Sequence, residues 1–280
     1  MEPRHSGTRV GIYVDVENIS RNGGRGMRFE VLRNFAIRDG AEPVRLNAYL
    51  AYDHERARND ITYREGAVGF HFALREEGFK VIEKPVRWFS SDDGTRVSKA
   101  NSDLDLAVDM LLQSTRLDRV LLVSGDGDFS RVVRALQDSG CRVEVLAFEN
   151  VSYDLRCEAD VFVSGYLIPG LVPSMQPRGV AWGEARSSVR GTCYSYRSDR
   201  GFGFVRYLVQ AGDLTLTDTR DPSSPYRSAF FHISNCAPEV HPDRLPSRDM
   251  VFEFALSPGH SDTEGLEAKE IKLVMDYDKH

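Results

Sequence analysis

The stretch Val120–Leu136, "VLLVSGDGDFSRVVRAL", constrains the fold more than any other part of the chain. Four apolar residues in a row read as a buried strand, and the polar "SGDGD" leaves it. Helical apolar spacing then runs through Asp138, Gly140 terminates it, and "RVEVLAF" supplies another strand. A strand, a helix and a strand in that order build a mostly parallel sheet flanked by helices. The same rhythm fills residues 9 to about 165. "VGIYVDV", "VRLNAYLAY", "FKVIEKP" and a short "DVFVS" read as strands. "FEVLRNFAIRDG", Asn59–Gly78 and "SDLDLAVDMLLQST" read as helices, the last with Ser102 available as its N-cap, and "SSDDG" as a polar turn. An α/β domain is the expectation for residues 9–165.

Residues 166–188 interrupt this pattern with prolines and glycines and read as a linker. Beyond it the texture changes. "GTCYSY", "GFGFVRYL", "SAFFHIS" and "MVFEFAL" are short, aromatic and alternating, as in a small antiparallel barrel over about residues 189–275. The chain's 280 residues suit such a two-domain division.

Composition excludes several classes. With 41% hydrophobic and 28% charged residues and no long apolar run, the chain reads as globular rather than membrane-spanning. Its N-terminal sequence lacks the features of a secretory signal, so a cytoplasmic location is expected. Cys141, Cys157, Cys193 and Cys236 are scattered and form no C-x-x-C pair, which argues against a zinc site or a disulfide framework. The net charge of −6 argues against a general polyanion binder, yet Arg178–Tyr207 holds six arginines against Glu184 and Asp199.

In an open parallel sheet, ligands gather beyond the carboxyl ends of the strands. Asp15 closes the first strand, Asp126 and Asp128 follow another, and Asp103 opens the helix that precedes it. Each has an ordinary structural explanation: a turn cap, an Asx-turn, a carboxylate at a helix N-terminus. Together they are a cluster of like charges, which a hard divalent cation held by oxygen ligands accounts for. Asp105 and Asp109 share a helix face as a solvated or secondary site. After the first block, Arg21, Arg25 and Arg28 alternate with glycines in a loop suited to phosphates.

"IYVDVENIS", "KANSDLDLAVDM" and "LLVSGDGDFSRVV" resemble, in order and spacing, the three signature blocks of the NYN domain, in particular its LabA-like branch within the PIN-like nuclease superfamily. The resemblance implies a metal-dependent ribonuclease. By matched position, Asp15, Asp103, Asp126 and Asp128 would bind Mg²⁺ or Mn²⁺, directly or through water, Asn18 would orient the site, and Asp109 would be a secondary metal position. Lys99 opens the middle block among the nucleic-acid contacts.

On the second domain, period-two alternation places Phe202 with Phe204 and Phe230 with His232, beside Arg200 and Arg206, a combination suited to stacking bases and contacting phosphates. "GTCYSYRSDRGFGFVRY" and "SAFFHIS" resemble a cold-shock domain, an OB-fold, which implies a stacking platform of Phe202, Phe204, Phe230 and His232 with Tyr196 in the first strand. Ser195 stands where that family has tryptophan, Ile233 replaces an aromatic, and a longer segment joins the two motifs, so a narrower platform is expected.

The reading that unites these features is an endoribonuclease that cleaves mainly single-stranded RNA with Mg²⁺ or Mn²⁺, its cold-shock domain capturing substrate. DNA and a second copy of the chain are further partners it allows. The alternative is a catalytically weak RNA-binding or assembly protein that retains a nuclease fold. A phosphatase acting on small phosphates would use the same acidic strand ends but leave the aromatic barrel without a purpose.

Overall fold

A computed structural model describes residues 7–90, 96–99, 102–174, 176–177, 179–259 and 265–279. The expected "SSDDG" turn and the centre of "KANSD" lie outside the described residues. The chain divides into two compact units, one of residues 7–25 and 40–163, the other of Gly26–Asp39 and Ser164–279.

The first unit is an α/β layer structure. Its six-stranded sheet has the order β3-β2-β1-β6-β7-β8, from β1 (Arg9–Asp15), β2 (Glu42–Tyr52), β3 (Lys80–Pro85), β6 (Arg119–Val123), β7 (Arg142–Ala147) and β8 (Val161–Ser164), whose last residue opens the second unit. The pairs from β3 through β7 are all parallel. β1 and β6 are buried along nearly their whole length, which is why they read as unbroken apolar runs. A hairpin of β4 (Arg87–Ser90) and β5 (Arg96–Lys99) was not expected from the sequence.

Helix starts follow local chemistry. Asp15 caps α1 (Val16–Arg21), Asp53 caps α3 (His54–Asn59) and Asp60 caps α4 (Ile61–Glu76), each carboxylate accepting an amide N–H three residues on at 3.0 Å. Ser102 precedes α5 (Asp103–Gln113) but makes no side-chain cap bond. The helices α6 (Ser130–Asp138) and α7 (Tyr153–Glu158) complete the unit. Among the described residues, no helix is long and apolar enough to cross a membrane.

The second unit contains α2 (Phe29–Ala36) and a closed barrel of order β10-β11-β13-β12-β9. Its strands are β9 (Ser188–Arg197), β10 (Phe202–Leu208), β11 (Tyr226–His232), β12 (Ser247–Pro258) and β13 (Leu266–Asp276). All pairs are antiparallel except β11 with β13. The barrel interior is filled by Val189, Val205, Tyr207, Phe231, Phe252 and Phe254, all essentially inaccessible. Gly203 is required by this packing: a Cβ there would lie 2.7 Å from the Phe231 ring.

Candidate metal centre and nucleic-acid interface

From β1 the chain adds β2 and then β3 on one side, and from β6 it adds β7 and β8 on the other. The point where the order reverses therefore lies between β1 and β6, and ligands of open α/β sheets bind beyond the strand ends at such a point. Val14 pairs with Val123, so Asp15 and the "SGDGD" turn leave the sheet side by side.

Asp15 is buried, with 4% of its surface exposed. Asp126 accepts the Asp128 N–H at 3.0 Å, and its own N–H donates to Ser124 Oγ. Both residues thus fill the structural roles any turn carboxylate can fill. They also share a surface: Asp15, Glu17, Asn18, Arg21, Asp103 and Asp126 line one cavity of about 320 Å³. Burial raises the Asp15 carboxyl to about 6, with repulsion from Asp103, Glu17 and Asp126 adding to the rise and the Asn18 N–H opposing it. Asp103 is raised as well, first by burial and then by Asp126, Asp128 and Glu17.

Asn18 joins the halves of the site. Its Oδ1 accepts the Gly125 N–H at 3.0 Å, tying the start of α1 to the turn after β6. That turn is tight against the neighbouring chain: a Cβ at Gly127 would lie 2.7 Å from Ser152 Oγ. The glycines of "GDGD" thus let Asn150–Ser152 pack beside the carboxylates.

The other expected positions are more dispersed. Asp128 is exposed, outside the cavity lining but close enough to act on Asp103. Asp109 is partly buried and accepts the Tyr49 hydroxyl at 2.7 Å, and Asp105 pairs with Lys84. Arg21 pairs with Glu17. Arg25 and Arg28 are exposed. Lys99 ends β5, and its side chain lies outside the described residues. Glu17, inside the "DVEN" motif, was missed by the sequence reading although it lines the cavity.

Metal fit can be judged from the donors. They are acidic oxygens, the set preferred by Mg²⁺ and Mn²⁺ over softer ions. Among the described residues, no group of three or more His, Cys, Asp or Glu is arranged to hold an ion by itself. Mg²⁺ retains several waters and takes only one or two carboxylates directly, so it asks fewer such donors of a site.

On the barrel, Phe202 pairs with His232 and Phe204 with Phe230 across the β10-β11 ladder. Ring centroids of Phe202 and Phe204 lie 5.6 and 5.9 Å from that of Phe230, making one aromatic patch. Phe230 is 38% exposed, and His232 is exposed as well. Tyr196 differs from expectation: it pairs with Gly203 and stacks on buried Phe231, on the core side of the pleat. Tyr194, 38% exposed, instead lies 6.4 Å from Phe204. A register shift between Phe204 and Val205 produces this change of face. Arg200 is exposed in a turn. The Arg206 guanidinium lies over the rings of Tyr194 and Tyr226, at 5.6 and 5.0 Å, and donates to the Thr217 carbonyl. It is a supported cation at the patch edge, held by the long segment between the motifs.

Comparison with known proteins concerns the first part of the chain. Residues 9–168 match the NYN domain family. The chain is 25% identical over 162 residues to the Low amplitude and bright protein LabA of Synechococcus elongatus, covering 56% of this chain and 83% of that protein. It is also similar to a protein of unknown function from Vibrio parahaemolyticus, with 28% identity, 59% of this chain and 96% of that one covered, and a TM-score of 0.46. The NYN domain is a PIN-like nuclease family, which supports a nuclease-like or RNA-related role. With its acidic blocks set along one sheet edge, and with the family match spanning more than half of its length, this chain belongs to the NYN domain family.

Proposed function

We propose that this chain is a cytoplasmic, divalent-metal-dependent endoribonuclease that hydrolyses phosphodiester bonds of mainly single-stranded RNA. Its domains on this reading are a nuclease over residues 9–165, a linker over 166–188 and a cold-shock-like barrel over 189–275 that captures substrate. The observation that carries the reading is the cavity at the sheet's switch point, where Asp15, Asp103 and Asp126 share one lining and repel one another, with no cation among the described residues lowering either Asp15 or Asp103. Family membership supports it.

Asp15, Asp103 and Asp126 would hold Mg²⁺ or Mn²⁺, with Asp128 acting from the rim. A cation so held supplies Lewis acidity toward a phosphate and an activated water. Asn18 keeps the two strand ends in register, and Arg21, at the cavity edge, offers the phosphate a positive charge. The aromatic patch of Phe202, Phe204, Phe230 and Tyr194 offers sequence-tolerant stacking. The tether then raises the local concentration of RNA at an acidic site that would otherwise repel it.

The absence of a closed three-carboxylate group among the described residues favours the second reading, an RNA-binding or assembly module with little turnover. One assay separates the two. With Mn²⁺ or Mg²⁺, the full-length protein should cut a single-stranded RNA oligonucleotide faster than the matching DNA, and EDTA should stop it. Asp126→Asn should lower the rate by at least ~100-fold, beyond the loss usual for residues that only support a metal ligand. Undiminished cleavage by that variant would remove the site assignment, and no cleavage by the wild type would leave the binding reading.

A further inference from the structure

A second cavity, of about 530 Å³, adjoins the acidic one and shares Glu17, Ala51 and Val86 with it. Its chemistry is different. Tyr52, Tyr63, Phe70 and His71 line it, and Glu17 and His71 are the charged or chargeable groups other than tyrosine hydroxyls. Tyr52 stacks with Tyr63, ring centroids 6.0 Å apart and planes 25° from parallel, and lies 5.8 Å from His71. The Tyr63 hydroxyl accepts the Asp53 N–H at 3.1 Å, and His71 Nδ1 is 3.0 Å from Glu83 Oε1. The polar edges of these rings are thus anchored to the domain while aromatic carbon lines the cavity. Phe70 is 39% exposed.

Gly66 adds an independent observation. It sits inside α4, where glycine is destabilising relative to alanine. A Cβ at this position would meet nothing within 4 Å, so among the described residues no packing contact calls for its absence. Gly66 does line the cavity, and the missing side chain widens it.

We infer that this aromatic cavity receives the unpaired base of the nucleotide next to the phosphate held at the acidic site. The inference rests on the RNA reading above and names where on the nuclease domain the substrate is gripped. Among the described residues the lining holds no arginine or lysine, so its aromatic walls fit a base better than a phosphate, and its shared walls set base and phosphate at neighbouring positions. Every base has a π-face, so the subsite tolerates different sequences but demands a base free of its duplex partner.

The test uses full-length protein carrying Asp126→Asn, bound to short oligoribonucleotides in which 5-iodouridine is walked through successive positions. After irradiation, crosslinked peptides are mapped by mass spectrometry. Crosslinks to Tyr52, Tyr63 or Phe70 are expected from one position, lost when Gly66→Leu fills the cavity and retained with Gly69→Leu. Gly69 is on the same helix, has equal room for a Cβ, and does not line the cavity. With the acidic residues intact, Gly66→Leu should raise KM for RNA cleavage about tenfold, the scale of one stacked base, and Gly69→Leu should not. Crosslinks confined to the barrel, or equal behaviour of the two leucine variants, would overturn the inference. Crosslinking at Tyr52 without cleavage by the wild type would keep the base subsite and remove the nuclease reading; cleavage without such crosslinks would do the reverse. Absence of both would remove both.

Discussion

Asp15 in the first unit and Asp276 in the second are both almost inaccessible, 4% and 6% exposed, yet their carboxyls are displaced in opposite directions. Asp276 is lowered, chiefly by hydrogen bonding to Arg244, which bridges both carboxylate oxygens and makes one contact at 2.9 Å. Lys279 stands 3.6 Å away. Asp15 has one amide N–H and a ring of other carboxylates, and it is raised to about 6. The barrel carries the counter-charge for its buried acid in its own sequence. Among the described residues the sheet edge supplies no such ion pair to Asp15, and that is the physical difference between a structural ion pair and a candidate binding site.

Removing the internal counter-charge should have the largest effect on stability. Arg244→Met leaves Asp276 buried with the weaker support of Lys279 and the Asp278 N–H, and the barrel should lose about 2 kcal/mol in chemical denaturation at neutral pH. Because the folded carboxyl titrates below its unfolded value, the pair's contribution is present above about pH 4 and fades as pH falls through the lowered folded value. Wild type and Arg244→Met should therefore converge in acid. A constant gap across that range would break the comparison on the barrel side.

Asp15→Asn should act in the opposite direction. A carboxyl raised in the folded state contributes stability below its unfolded value near 3.8 and loses it as pH rises through about 6. Metal-free wild type should lose stability over that window, and Asp15→Asn, which stays neutral and can still accept the Asn18 N–H, should not. At pH 7 the variant should be the more stable by about 1–2 kcal/mol without metal. Mn²⁺ should raise the thermal midpoint of wild type alone, since only a ligand that prefers the folded state can do so. A variant less stable than wild type at pH 7 would show that Asp15 is there for the fold.

The smallest effect distinguishes the two tyrosines of β9. Tyr194→Ala should weaken binding of single-stranded RNA by about 1 kcal/mol with little change in stability. Tyr196→Ala should do the converse, losing packing against Phe231. Matching behaviour of the two would mean that the bulge does not separate an outer from an inner face.

The sequence made the parallel sheet legible because β1 and β6 are apolar on both faces, and it made the acidic edge legible because Asp15 ends β1, Asp126 and Asp128 lie in the turn after β6, and Asp103 opens α5. What escaped it depends on contacts distant in the chain. The Tyr49 hydroxyl that donates to Asp109 comes from sixty positions away and leaves no trace in the helix spacing. Tyr196 appears to continue the stacking face until the bulge reverses the pleat. The fifth barrel strand, β13, was not separated from its surroundings because shifts in its register with β12 destroy any simple alternation. The helix α3 is too short and polar to show a periodic apolar face.

The Asn18–Gly125 hydrogen bond spans 107 positions and bridges the two acidic strand ends directly. During synthesis the first strand emerges with Asp15, but its partner strand and the "GDGD" turn are still unmade. The acidic centre is assembled only when segments 107 positions apart in the chain have met. A disturbance of the β1–β6 pairing would therefore dismantle the acidic centre without touching a single carboxylate, because the side chains that repel one another are neighbours only through that pairing.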